Sequence, residues 1–244
     1  MQLYDMPDAR GHFGQYGGTF VAETLVEALE ELRVMYEKYR YDPVFLAEYA
    51  YDLKHFVGRP SPIYHAKRLS DKVGGAQIYL KREDDQVIHS FKLRGAYQKM
   101  SSMSDEQKSK GVIASSAGNH AQGVALAANK LGITAKIFMP VGASLPKVSA
   151  TKGYGAEVVL TGDTFADCLK AAKEYAEKKH AVFIPPFDHI DVVIGQGTVG
   201  LEILDELPEV DNIVVAIGGG GLAAGVAVAA KLKAKRTRNR VLFF

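Results

Sequence analysis

A single cysteine, Cys168, stands among 244 residues, so no disulfide can form within the chain. That scarcity suits a protein working in a reducing cytoplasm. An excess of charge is also missing: 30 Lys and Arg against 28 Asp and Glu leave a net charge of +2, too mild for a surface built to bind nucleic acid. The local exception, Lys231, Lys233, Lys235, Arg236, Arg238 and Arg240, reads as the solvated end of a helix, where cations are favoured by the helix dipole. The opening MQLYDMPDARGHF has no basic patch followed by an apolar run, so it is not expected to be a secretory signal. An unbroken apolar span is lacking too. A membrane helix needs about 20 apolar residues in succession. The best candidate, Ile213 to Leu232, is interrupted by four consecutive glycines, with β-branched residues before them and alanines after. A strand, a turn and a buried helix are expected there, and no membrane contact.

What is present is ordinary for a globular protein: 47% hydrophobic and 24% charged residues, enough for one good core or two small lobes. Val21 to Arg40 carries Leu25, Leu29 and Leu32 at helical spacing. Asp42-Pro43 marks the start of a second helix running to about His55, because proline suits the first helical turn. Gly58 to Pro62 is a punctuated loop, followed by a helical stretch to about Val73 and a strand over 76–81. From Lys92 the pattern alternates. Helices from about 91, and over 119–131, 145–153, 164–179, 192–206 and 222–233, interleave with strands over 111–115, 134–139, 157–161, 181–184 and 212–217. A final apolar strand is expected from Arg240. Such alternation predicts a parallel, doubly wound α/β sheet. Ile213 to Ile217 is apolar throughout, as a strand covered on both faces would be. Pro185-Pro186 with Phe187-Asp188 reads as a crossing between lobes.

Three places carry chemistry. Gly218-Gly219-Gly220-Gly221 follows a buried strand and opens a helix. Glycines let the backbone bend tightly and bring several N–H groups near an anion, to which the helix N-terminus adds its own free donors. The absence of a following Gly-Lys-Ser/Thr excludes a nucleoside-triphosphate loop, and the spacing is not that of a dinucleotide fingerprint. Ser115-Ser116-Ala117-Gly118-Asn119-His120 occupies the same place after another strand, where ligands bind in open α/β sheets; its Ser and Asn side chains could equally cap the helix. His120, one residue into that helix, reads as a packing or capping group. Lys92, beside Phe91, would become a nucleophile only if a pocket lowered its pKa enough for it to condense with an aldehyde.

His89-Ser-Phe-Lys-Leu-Arg-Gly-Ala96, Ser115-Ser-Ala-Gly-Asn-His-Ala-Gln-Gly123, Gly195-Gln196-Gly197-Thr198 and Gly218-Gly-Gly-Gly-Leu222, in this order, resemble the threonine/serine dehydratases over about residues 86–235. Gly14 to Val21, Ala50 to Tyr64 and Leu80 to Asp84 resemble instead the start of a tryptophan synthase β chain, so the chain reads as a chimera of two related enzymes. Both are fold type II pyridoxal phosphate enzymes. The resemblance implies a two-lobed α/β architecture with doubly wound, mostly parallel sheets. Residues 1–60 would form a helical segment, 61–98 with 185–244 an incomplete large cofactor-binding domain, and 99–184 a small α/β domain.

The roles it implies are these. Lys92 would hold pyridoxal 5'-phosphate through its amine and move the substrate α-proton. Phe91 would pack near the cofactor ring and Asn119 would hydrogen-bond its phenolic oxygen. Gly218, Gly219, Gly220, Gly221 and Leu222 would bind its phosphate, while Ser115, Ser116 and Gly118 would help bind the substrate carboxylate. No metal site is expected. Ala114 replaces the glutamate that the β-replacement enzyme places before this turn, and Asn119 stands where that enzyme has glutamine. Ala117 replaces the second base of serine racemases. The implied reaction is therefore β-elimination from threonine or serine, with a homo-oligomer expected and a tryptophan-synthase-type α-subunit partner disfavoured. A fold type II large domain would continue beyond Phe244 to supply the residue facing the pyridine nitrogen, which is not found within these residues.

Overall fold

The protein is described by a computed structural model covering residues 58–233 continuously, strand segments 12–13, 16–17 and 240–243, and isolated positions between 23 and 47. It divides into two units, Met1–Lys54 and His55–Phe244. In the first, β1 (His12–Phe13) pairs antiparallel with β2 (Tyr16–Gly17), His12 opposite Gly17. The backbone is helical at 23, 26, 27, 30, 34 and 38 and again at 43, 44 and 47, within the spans expected to be helices. The remainder of those two helices lies outside the described residues. The Asp42 carboxylate accepts the Val44 N–H at 2.8 Å, the capping bond that a helix start at Asp42-Pro43 calls for.

The second unit opens with β3 (Ile63–His65) and β4 (Tyr79–Lys81), antiparallel with Ile63 opposite Lys81 and joined through α1 (Lys67–Val73). The sequence pattern suggested helix where β3 lies. Three residues are too short to show a period of two, and the strand is held by its partner, with the His65 ring stacked on Tyr79 at 4.7 Å. After α2 (Lys92–Ser101) comes a five-residue helix, α3 (Asp105–Ser109), that hydrophobic periodicity cannot reveal. A reciprocal cap starts it, Ser104 Oγ accepting the Gln107 N–H while the Gln107 side chain accepts the Ser104 N–H.

Four units of strand and helix follow: β5 (Val112–Ser115) and α4 (Asn119–Lys130), β6 (Ala135–Met139) and α5 (Leu145–Gly153), β7 (Glu157–Leu160) and α6 (Phe165–Lys179), then β8 (Val182–Phe183) and α7 (Ile190–Glu206). The strands form one parallel sheet in the order β7-β6-β5-β8. All four residues of the central strand β5 are buried, as expected when helices cover both faces. Ile113 and Phe138 of this sheet pack on Cys168, Ala172 and Ala176 of α6.

Then β9 (Asn212–Val215) leads to α8 (Gly221–Lys233), and β10 (Arg240–Phe243) pairs parallel with β9. The run Ile213–Ile217 departs from expectation. Ile213 and Val215 are buried, whereas Val214 is 63% and Ile217 48% exposed. The side carrying Ile213 and Val215 packs on Val199, Ile203 and Leu204 of α7 and Ala223, Val226 and Ala230 of α8; among the described residues nothing buries Val214. Among those residues no helix is long and apolar enough to cross a membrane.

Candidate active site

Glycines stack three helices at backbone contact and so bring the two key segments together. A Cβ on Gly195 of α7 would lie 2.5 Å from the Arg94 carbonyl oxygen and 2.7 Å from Gly95 Cα, both on α2. On α7's other side, a Cβ on Gly197 would lie 3.0 Å from the Gly225 oxygen of α8. Larger residues would push these helices apart. The Gly195-Gln196-Gly197-Thr198 motif thus sets the spacing between the helix that begins at Lys92 and the helix that begins at the glycine turn. A fourth helix, α4, also comes close: a Cβ on Gly123 would sit 3.2 Å from the Lys92 carbonyl.

The stack leaves a cleft. Phe91, Lys92, Gly218, Gly219, Gly220, Gly221 and Leu222 line it together, all of them expected from sequence. Pro186, Phe187 and Gln196 also line it, and these the sequence reading missed as site residues. The Pro-Pro-Phe-Asp run after a strand end was the available signal, taken only as a crossing between lobes. The Lys92 ammonium donates to the Pro186 carbonyl at 2.6 Å. It lies 5.4 Å from the Phe91 ring centre and 5.9 Å from that of Phe187. Burial among these groups lowers its pKa, because the charged form loses hydration and gains no carboxylate partner.

Opposite it, Gly220 has φ +87, a left-handed conformation that favours glycine. Space in front of Gly218 and Gly220 is open, with nothing within 4 Å of a Cβ at either. Behind the turn, a Cβ on Gly219 would collide with the Phe187 ring, and one on Gly221 would lie 2.8 Å from the Phe187 oxygen. The turn therefore offers bare backbone on one side and is buttressed on the other, which suits a phosphate.

Ser115, Ser116, Gly118 and Asn119 form a separate turn, between β5 and α4, and do not line the cleft. Ser115 is buried and its Oγ has no partner. Ser116 Oγ accepts the Gly118 N–H at 3.1 Å. Gly118 is the N-cap of α4 and no side chain caps the helix, so the first-turn donors are left for an anion. A cation that sequence reasoning missed stands over this turn: Lys147 Nζ, from α5, would be 3.7 Å from a Cβ on Gly118.

His120, next in that helix, is buried with Nε2 donating to the Ile184 carbonyl at 3.0 Å. Burial lowers its pKa from 6.5 to about 4, outweighing the bond to Ile184, and the Lys92 charge adds to the lowering. The sign of the consequence is fixed: below about 6.5 the unfolded chain binds a proton that the folded chain refuses. Stability is complete above that pH and is expected to fall by about 3 kcal/mol as pH drops towards 4. Denaturant titrations across this interval should show the loss, and His120→Gln should flatten it. An unchanged slope in the variant would assign the acid sensitivity elsewhere.

Behind Lys92 lies a buried ionic cluster. Arg94 donates to Glu202 from Nη1 at 2.7 Å and Nη2 at 2.9 Å, and to Glu83 from Nε at 2.8 Å and Nη2 at 2.7 Å. Glu202 also meets Arg59 and, at 2.8 Å, Lys81. Burial would raise the Glu202 pKa, but the hydrogen bonds and charge of Arg94, with Arg59 and Lys81, pull it down to about 2. This cluster ties α2 to α7, to β4 and to the loop before β3.

A desolvated lysine and a glycine turn that opens a helix share one cleft, the groups that a carbonyl-bearing, phosphorylated cofactor would call for. The chain belongs to the pyridoxal-phosphate dependent enzyme family, whose model matches residues 55–242. It is 51% identical over 174 residues to the catabolic L-threonine dehydratase TdcB of Escherichia coli (strain K12), covering 71% of this chain and 51% of that one. It is 50% identical over 175 residues to the biosynthetic L-threonine dehydratase IlvA of Pasteurella multocida (strain Pm70), covering 72% of this chain and 34% of that one. Among solved structures, the processed form of threonine deaminase isoform 2 from Solanum lycopersicum superposes with a TM-score of 0.73 at 43% identity, covering 83% of this chain and 59% of that chain. Maize serine racemase gives 0.74 at 37% identity, covering 81% and 59%. The chain spans about half or less of the length of the two curated relatives.

Proposed function

We propose that this chain carries the cofactor-binding part of a lyase that eliminates the β-hydroxyl of L-threonine or L-serine, yielding a 2-oxo acid and ammonia. The observation that carries this reading is Lys92, whose desolvated amine bonds, among the described residues, only the neutral Pro186 carbonyl and lies in one cleft with the glycine turn. Pyridoxal phosphate fits that cleft, and when bound it supplies an electron sink for negative charge developing at the substrate Cα. Gly218 to Gly221 would hold its phosphate with backbone N–H groups, while Phe91 and Phe187 exclude water around the Lys92 amine.

The uncapped start of α4, with Ser115, Ser116 and Gly118, would hold the substrate carboxylate, and Lys147 supplies a neighbouring positive charge. Asn119 does not line the cleft, so a bond from it to the cofactor's phenolic oxygen rests on the family resemblance alone. Lys92 Nζ takes the proton released as the Cα–H bond breaks. The Cβ–O bond then breaks as the proton held on Lys92 Nζ passes to the hydroxyl, which leaves as water, and the unsaturated amine is hydrolysed to the 2-oxo acid and ammonia. Ala114 and Ala117 place methyl groups where a replacement enzyme or a racemase would need a further acid or base, which favours elimination.

In this reading residues 61–98 and 185–244 form the cofactor lobe and 99–184 the smaller lobe, working in the cytoplasm. Incubating the chain with pyridoxal phosphate and threonine or serine should release 2-oxo acid and ammonia in equal amounts. Cofactor capture with no 2-oxo acid from either substrate would defeat the proposal.

A further inference from the structure

Gln196 is 1% exposed, and its Oε1 has no hydrogen-bond partner. Gln196 lines the cleft with Lys92 and the four glycines. The amide is wedged against α2, since a Cβ on Gly95 would lie 2.5 Å from Nε2. It therefore cannot swing away on that side without displacing the helix that begins at Lys92. A buried amide oxygen left unpaired costs the free energy of its lost hydration. If α7 needed only to fill space between α2 and α8, a methionine of similar length would do so without that cost. Among the described residues, two other buried side-chain atoms also lack partners, Gln86 Oε1 and Ser115 Oγ. Neither lines this cleft, and the Gln86 amide at least donates to the Gly58 carbonyl at 3.3 Å.

We propose that Gln196 is a cofactor-binding residue, whose amide pairs with a polar atom of pyridoxal phosphate when the cofactor fills the cleft. This rests on the reading of the cleft as the cofactor site. Its consequence has opposite signs in the two states. Without cofactor the amide is a liability; with cofactor it is a contact. Gln196→Met should therefore leave the melting temperature of the cofactor-free chain unchanged or raised, while weakening pyridoxal phosphate binding by about tenfold, the effect of losing one good hydrogen bond.

Both are read without turnover, from thermal melts of the cofactor-free chain and from titration with pyridoxal phosphate followed by the cofactor's absorbance. Equal affinity in parent and variant would overturn the role of Gln196 alone. A variant that melts well below the parent, or does not fold, would overturn it as well, because the amide would then serve the fold without any ligand. A parent chain that fails to bind pyridoxal phosphate would instead sink the reading of the cleft itself.

Discussion

Lys92→Ala should abolish covalent capture of pyridoxal phosphate and lower 2-oxo acid formation by about a thousandfold or more, the scale of losing a positioned general base. Two properties of one amine are removed together. Burial among Phe91, Phe187 and Pro186 lowers its pKa, which favours the nucleophilic free amine, and among the described residues it is the only amine lining the cleft. Lys92→Arg should be as inactive, since a guanidinium stays charged throughout the working range and cannot serve as the base. Neither change should cost much stability. Among the described residues Nζ makes a single hydrogen bond, to a carbonyl, and truncation relieves the cost of desolvating the amine. The measurement is the visible absorbance of the lysine-bound cofactor together with turnover; a variant that keeps both would remove Lys92 from the mechanism.

How much of this was legible in the sequence follows from the range of the interactions. The alternation of strand and helix from Val112 onward is local, and its boundaries follow from glycines, caps and apolar runs. The glycine turn and Lys92 were legible as candidates for the same reason, although their roles came from a family likeness. What the sequence hid are pairings between distant residues. The partner of Lys92 lies 94 positions away at Pro186, and Arg94 finds Glu202 across 108. Glu202 in an amphipathic pattern looks like any solvated helix glutamate, and only its position against α2 makes it a buried ion. Gln196 was hidden in a different way. The motif containing it carries the family likeness as a whole; its glycines set the helix spacing, and the residue between them lines the cleft. At Ile213–Ile217 an apolar run was read as burial on both faces, but hydrophobicity alone does not say which face is covered.

The buried cluster carries the largest expected effect on stability. Glu202→Gln keeps the shape of the side chain and removes its charge, leaving Arg94 with Glu83 alone and Lys81 and Arg59 without their carboxylate. Breaking a buried ion pair from one side costs about 3–5 kcal/mol, because the remaining charges stay desolvated. Set against a typical total of about 5–15 kcal/mol, that is enough to bring many chains near the edge of unfolding. Denaturant unfolding at neutral pH should show the loss in full, since a carboxyl titrating at about 2 is ionised there. Removing the cations as well should recover part of it, so Arg94→Met in the Glu202→Gln background is expected to cost less than the sum of the two single changes. Additivity of the two would mean that the cluster is not a coupled unit. The functional consequence follows from geometry. Arg94 sits two residues beyond Lys92 on the same helix and is anchored to Glu202 of α7 and to Glu83, just beyond β4. A chain that loses Glu202 should lose the fixed approach of α2 to the glycine turn, and its affinity for pyridoxal phosphate should fall at temperatures where it is still folded.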